Sequence, residues 1–380
     1  MLHSFPTSGL LLVFAISLSV SLAVLAMKPW LGRLARRRDD LSARQAAHRD
    51  PTPRFGGVGI IVAMLLSVFV ISGHVQGEHA LFALSVLPVF LVGLAEDVGL
   101  HASPKVRLLA AAGSGLLAAA LLGIWLPRAE IPGFDIAMQF APVAIAFTVF
   151  TTAGVCNAFN LIDGVNGLSA GTALLTALGL GAIATLSGVP YIGEMNLLLA
   201  AALAGFLVLN YPFGKIFLGD AGAYSIGHFL SWCGIILVAR SPEVSTWAIF
   251  LVFFWPVADT FRAIYRRAKL GHRADQPDRL HYHQLVMRAL EITRLGRDRR
   301  HVANPLVLLI LLPFILAPIV TGVMLWNRPL EAFLACLLFG ALFAGSYSLG
   351  LRLARSGRLS RRREEESHRP GDIPVIEPAE

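Results

Sequence analysis

Gly9-Leu-Leu-Leu-Val-Phe-Ala-Ile-Ser-Leu-Ser-Val-Ser-Leu-Ala-Val-Leu-Ala-Met27 is followed at once by Lys28, then by Arg33, Arg36, Arg37 and Arg38. An uncharged run of this length covers about 28 Å as a helix, close to the hydrocarbon thickness of a bilayer. No Lys or Arg precedes the run and basic residues follow it, the reverse of a secretory leader. It is expected to stay in place as a first membrane span.

Working outward, similar apolar runs lie near 56–73, 80–96, 106–126, 139–156, 167–187, 193–210, 221–239, 246–265, 304–323 and 330–350. Of the 380 residues 56% are hydrophobic and only 15% charged, too much apolar surface for a soluble chain of this length to hide. The runs are continuous rather than alternating, which excludes a β-barrel, and backbone groups in hydrocarbon must be paired within each segment. The expected fold is all-α: a polytopic membrane protein of about 11 transmembrane helices filling residues 1–355. The charged, Pro-containing stretch 356–380 is expected to be a disordered cytoplasmic tail. Cys156, Cys233 and Cys336 lie far apart in apolar runs, with neither metal-ligand spacing nor a disulfide framework.

The net charge of +8 is a topology signal rather than a nucleic-acid one, and no nucleic-acid partner is expected. Basic residues crowd three segments: Lys28 to Arg54, Arg266 to Arg300, and Arg352 to Arg363. All three follow odd-numbered spans, so one assignment makes them all cytoplasmic, with the N-terminus outside and the C-terminus inside. The opposite loops hold chiefly Arg128, Arg240 and Arg328.

With that topology, the polar residues fall on one face. Glu96 and Asp97 end span three, Asp163 follows span five, Asp220 follows span seven, and Asp278, Arg279, His281 and His283 follow span nine. Glu96-Asp97 is either a helix end turning into water or a repelling pair that a divalent cation would relieve. Asn157, Asn160 and Asp163, spaced by three, are either an Asx-rich helix cap or one face of a site. Lys215 is suited to phosphate and Asp220 to a cation, unless Asp220 is simply the N-cap of span eight. Lys105 and Arg107 begin span four, where either faces phosphate or merely obeys the positive-inside rule. His281 and His283 suit diphosphate contact or acid–base work better than zinc, and would share a face in an extended loop. Asp259 and His228 lie inside spans, where ionisable groups are costly; Asp259 is two turns from the cytoplasmic end, and His228 reads equally as an interhelical hydrogen bond. Hard carboxylate oxygens favour Mg²⁺ or Mn²⁺.

These residues stand in motifs that resemble the polyprenyl-phosphate N-acetylhexosamine-1-phosphate transferases, in the branch using undecaprenyl phosphate and GlcNAc-1-phosphate. The resemblance rests on Pro51-Thr-Pro-Arg-Phe-Gly-Gly57, Gly93-Leu-Ala-Glu-Asp97, Ser103-Pro-Lys-Val-Arg107, Asn157-Ala-Phe-Asn-Leu-Ile-Asp-Gly-Val-Asn-Gly167, Lys215-Ile-Phe-Leu-Gly-Asp-Ala-Gly222, Pro256-Val-Ala-Asp-Thr260 and Pro277-Asp-Arg-Leu-His-Tyr-His283. It implies attack of a lipid phosphate on the β-phosphorus of a UDP-HexNAc, releasing UMP and starting a lipid-linked surface glycan at the cytoplasmic face of a bacterial inner membrane. It also implies Mg²⁺, with Asp220 and Asp97 as ligands, Glu96, Asp97 and Asp163 as catalytic groups, and Asn157, Asn160, Lys105, Lys215, Arg279, His281 and His283 as substrate contacts. A homodimer is compatible with this. The chain departs from the family pattern at Glu96, where an aspartate is usual, and at Gln284, where a histidine is usual. A transporter or flippase of an anionic or lipid-linked solute is the alternative, and would place its polar groups at mid-membrane on broken helices. A scaffold that has lost catalysis is a third.

Overall fold

The structure, a computed structural model, describes residues 7–30, 52–71, 75–271, 280–296 and 299–367. Among them are helices and no strand. They are α1 (Thr7–Ala26), α2 (Gly56–Leu66), α3 (Gln76–Ser85), α4 (Leu87–Asp97), α5 (Pro104–Leu122), α6 (Phe134–Met138), α7 (Ala141–Leu161) and α8 (Leu168–Leu186). There follow α9 (Pro190–Asn210), α10 (Gly219–Arg240), α11 (Thr246–Val252), α12 (Phe254–Leu270), α13 (Tyr282–Leu290), α14 (Arg300–Met324) and α15 (Pro329–Ser367).

Among the described residues nine helices are long and apolar enough to cross a membrane, counting α3 and α4 as one. Every expected apolar run falls on a helix, but two are not simple spans. The run from 56 is a short apolar helix, Gly56–Phe69, whose first N–H groups are pinned inside the bundle: Gly56 donates to Phe217 O (2.8 Å) and Gly57 to Leu218 O (2.9 Å). The run from 246 is broken by 83° between α11 and α12. Pro256 lacks the N–H that would reach the Val252 carbonyl, and Thr176 of α8 donates to that oxygen instead (3.3 Å). At the far end α15 continues as helix to Ser367. Residues 356–367, expected to belong to a disordered tail, are helical, and their Arg, Leu and Glu residues favour a helix. Residues 368–380 lie outside the described residues.

α10 is the axis of the bundle. Its membrane window is 100% buried, against 22% for α1 and for the α15 span. It packs against α2, α4, α5, α7, α8 and α9. Such contact is driven by close packing rather than by water, so small residues mark it. A Cβ on Gly57 would lie 2.2 Å from the Gly222 Cα, and one on Gly93 2.6 Å from the Ala221 Cα. His228, at mid-span on α10, shares a hydrogen bond with Ser85 of α3 (2.8 Å), in keeping with the interhelical reading. At the C-terminal end of α10, Arg128 donates to the carbonyls of Val238 (3.1 Å), Ser241 (3.2 Å), Pro242 (2.9 Å) and Val244 (2.7 Å). The guanidinium thus satisfies acceptors that a helix end leaves orphaned.

Replacing Gly57 by Val should force α2 away from α10 and cost ~1–3 kcal/mol, the usual range for overpacking. Thermal unfolding in detergent should fall by several degrees. Gly113→Val, where no atom lies within 4 Å of the added carbon, should leave it unchanged.

Candidate active site

The site begins with how α10 starts. Gly219 turns the chain at φ +75°, and a Cβ there would sit 2.0 Å from the Arg54 carbonyl oxygen and 2.5 Å from Asp97 Oδ2, so only glycine fits. The first-turn N–H groups of a helix have no partner of their own. Here Asp220 N–H donates to Asp97 Oδ1 (3.0 Å) and Ala221 N–H to Asp97 Oδ2 (2.9 Å). Asp97, the last residue of α4, caps α10 from another helix. Asp220 therefore lies inside the first turn, and the reading of it as the cap of its own helix is corrected.

Freed from capping, the Asp220 carboxylate points into a buried cluster. Asn160 of α7 donates to its Oδ1 (3.2 Å), and Arg107 of α5 forms an ion pair with its Oδ2. Arg107 is placed by the start of α5, where Ser103 Oγ accepts Val106 N–H (3.3 Å) and Glu96 accepts Ala102 N–H (2.7 Å). The family-departing Glu96 thus holds the loop that delivers Arg107. Lys105 points elsewhere and is exposed. Of the two cations in that motif, Arg107 is the one in the cluster, and helical periodicity would have picked it. Ala111, Ser114, Gly115 and Ala118, all buried, follow Arg107 at steps of three and four and share its face.

Asp163 lies in the turn between α7 and α8. Burial pushes its carboxyl up to about 7, with Arg54 lowering it and Asp220 raising it. The same turn is tied down by Gly167 N–H to Asn210 Oδ1 (2.7 Å) and by Asn166 to Pro212 O (2.8 Å). Asn157 accepts from the Tyr224 hydroxyl (3.5 Å), so both asparagines brace α10.

The histidines enter from α13. Asp259 of α12 accepts from His281 Nδ1 (2.8 Å) and from Tyr282 N–H (3.0 Å), which ties the start of α13 to α12. His281 is the N-cap of α13, and His283 lies within the helix rather than in an extended loop. Their rings still stack, 5.8 Å apart and 12° from parallel, across the cap. Gln284, the second departure from the family pattern, accepts His281 N–H (3.3 Å) and completes a capping box. His283 Nε2 faces Gly164, where an added Cβ would be 2.5 Å away. Burial lowers the His283 pKa to about 4, against the opposing pull of Asp259, so the ring is neutral at pH 7. Lys215 is exposed, its ammonium 5.8 Å from the Phe213 ring centroid. Arg279 lies outside the described residues.

Glu96, Asp97, Asp163 and Asp220 thus meet Arg54 and Arg107 at one end of the bundle, an excess of negative charge in a poorly solvated place. Among the described residues no three Asp, Glu, His or Cys side chains form a closed metal cage. That donor set fits Mg²⁺, which takes one or two carboxylates and completes its shell with water and substrate phosphates. The carboxylates of the cluster gather at helix ends, whereas a transporter would place its polar groups on broken helices at mid-membrane. His228 at mid-span and Asp259 on the broken pair α11–α12 are the exceptions.

The family model for glycosyl transferase family 4 matches residues 79–238, the stretch that carries Asp97, Arg107, Asn157, Asn160, Asp163 and Asp220. A probable undecaprenyl-phosphate N-acetylglucosaminyl 1-phosphate transferase of Bacillus subtilis is 27% identical over 284 residues, 73% of this chain and 77% of the relative. The undecaprenyl-phosphate alpha-N-acetylglucosaminyl 1-phosphate transferase of Escherichia coli K12 is 26% identical over 253 residues, 64% of this chain and 67% of the relative. A decaprenyl-phosphate N-acetylglucosaminephosphotransferase of Mycobacterium leprae is 27% identical over 343 residues, 78% of this chain and 83% of the relative. Over residues 79–238 the chain is similar to glycosyl transferase family 4.

Asp259→Asn removes a charge-assisted bond worth ~1.5–3 kcal/mol. Amide exchange over 280–290 should speed up at least about tenfold, with α8 unaffected, measured by hydrogen–deuterium exchange in detergent.

Proposed function

We propose that the protein transfers an N-acetylhexosamine 1-phosphate from a UDP-sugar to a polyprenyl phosphate, forming a polyprenyl-diphospho-sugar and UMP. The observation that carries this reading is the Asp220 carboxylate, freed from capping by Asp97 and aimed into a cluster at the membrane boundary, in a family whose relatives use polyprenyl phosphates. The lipid phosphate oxygen attacks the β-phosphorus, the bond from that phosphorus to the bridging oxygen breaks, and UMP leaves with the electron pair. Asp220 would hold Mg²⁺, which when bound supplies charge neutralisation on the diphosphate and on the leaving UMP. Asp97, expected as the second ligand, has both oxygens on backbone N–H groups.

The chain's own groups do the positioning. Asn160 fixes one Asp220 oxygen, and Asp97 fixes the turn from which Asp220 projects. His283, neutral and held beside Gly164, offers a hydrogen bond to a phosphate oxygen rather than a charge. Asp259 holds His281 in orientation. The basic segments after odd-numbered spans support a cytoplasmic site, where UDP-sugars are found.

The test is UMP release by the detergent-purified protein with undecaprenyl phosphate, Mg²⁺ and a panel of UDP-HexNAc sugars. Lipid-dependent UMP from one sugar, abolished by EDTA, is the expected result and names the donor. Asp220→Asn should lower kcat by about 10²–10³-fold, the usual cost of losing one preorganised charge contact. A folded protein that releases no UMP from any sugar, or releases it without lipid, would refute the proposal.

A further inference from the structure

The pairing of Arg107 with Asp220 is incomplete in an informative way. One guanidinium nitrogen, Nη1, meets the carboxylate, while the buried Nε has no partner. A guanidinium matched to its carboxylate would normally use two nitrogens side by side. The side chain of Arg107 is 19% exposed and that of Asp220 8%, so the guanidinium is the more accessible member of the pair. The other Asp220 oxygen is taken by Asn160. Each Asp220 oxygen therefore already has a partner, and a divalent cation sharing an oxygen with Arg107 would be repelled by the guanidinium where water is scarce.

We propose that Arg107 is the resident counter-ion of Asp220, occupying the cation's position in the substrate-free protein and yielding it when a nucleoside diphosphate arrives with its metal. The displaced guanidinium then turns its unused nitrogens to the diphosphate oxygens, for which its planar fork is suited. Arg107 serves as a positioning residue: it keeps the buried acidic cluster neutralised between turnovers and makes metal alone a poor ligand. Metal and diphosphate are thereby made to bind together. This inference rests on the transferase reading for its ligand but makes a separate claim about metal binding.

Mn²⁺ binding to the purified protein, followed by electron paramagnetic resonance, tests it without turnover. Arg107→Gln should bind Mn²⁺ alone about tenfold or more tightly than wild type, because one charge-assisted competitor is gone. Added UDP should tighten Mn²⁺ binding strongly in wild type and little in the variant. Arg107→Lys, which keeps the charge and the fold but loses the fork, should bind Mn²⁺ alone nearly as weakly as wild type and respond poorly to UDP. Equal or weaker Mn²⁺ binding by Arg107→Gln, with unfolding like that of wild type, overturns the proposal. So does equal Mn²⁺ binding by wild type with and without UDP. UMP release by wild type together with either of those results would sink the counter-ion role and leave the transferase reading standing. Tightened Mn²⁺ binding in the variant, with no UMP from wild type, would do the opposite.

Discussion

A helix buried along its whole length cannot satisfy the polar groups at its own ends, and the rest of the molecule is arranged around meeting that need for α10. Each terminus leaves backbone groups that, in hydrocarbon, cost several kcal/mol apiece when unpaired. Asp97 meets the N-terminal N–H groups and Arg128 the C-terminal carbonyls, and both come from other segments. The active site follows from the first of these. With capping delegated to α4, Asp220 is relieved of the task that an acidic residue in a first turn often performs, and its carboxylate is left to pair with Asn160 and Arg107.

The same economy runs through the neighbours of that carboxylate. Asn157 and Asn160 brace α10 from α7, Glu96 anchors the loop that starts α5, and Arg107 arrives from α5. Four carboxylates against two arginines would be unstable at the centre of a membrane, but at the helix ends water and a divalent ion can share the charge. Close backbone contact makes the cluster compact. Gly219 leaves room for Arg54 and Asp97, and Gly57 lets α2 lie directly on Gly222.

Much of this was legible in the sequence, and the rest shows what sequence leaves out. Apolar length located every candidate span, because span length is set by the bilayer rather than by the fold, but it passed over the short helices α6 and α13. It did not reveal that the run from 56 begins inside the bundle, since pinned N–H groups leave no mark on hydropathy. Pro256 was visible, but the 83° angle it permits depends on Thr176 taking the vacated carbonyl. The charged side of the basic loops predicted which helix ends would meet, and the carboxylates do meet. Finer roles depend on phase and capping. Lys105 and Arg107 are two residues apart and face differently, and Gln284 looked like a lost histidine until the start of α13 gave it a backbone partner. That Asp97 caps the helix on which Asp220 sits depends on a contact between residues 123 apart, which no local pattern encodes.

The two caps of α10 also bear on how the protein is made. Chains leave the ribosome N-terminus first. Asp97 and Arg128 both precede Gly219, so both are already in the membrane when α10 is synthesised. The central helix therefore enters a half-built bundle with its donors and acceptors awaited at either end. In assembly terms α10 is a plug delivered to neighbours already made, since the six helices it packs against all precede it, and the acidic cluster is completed only at that moment.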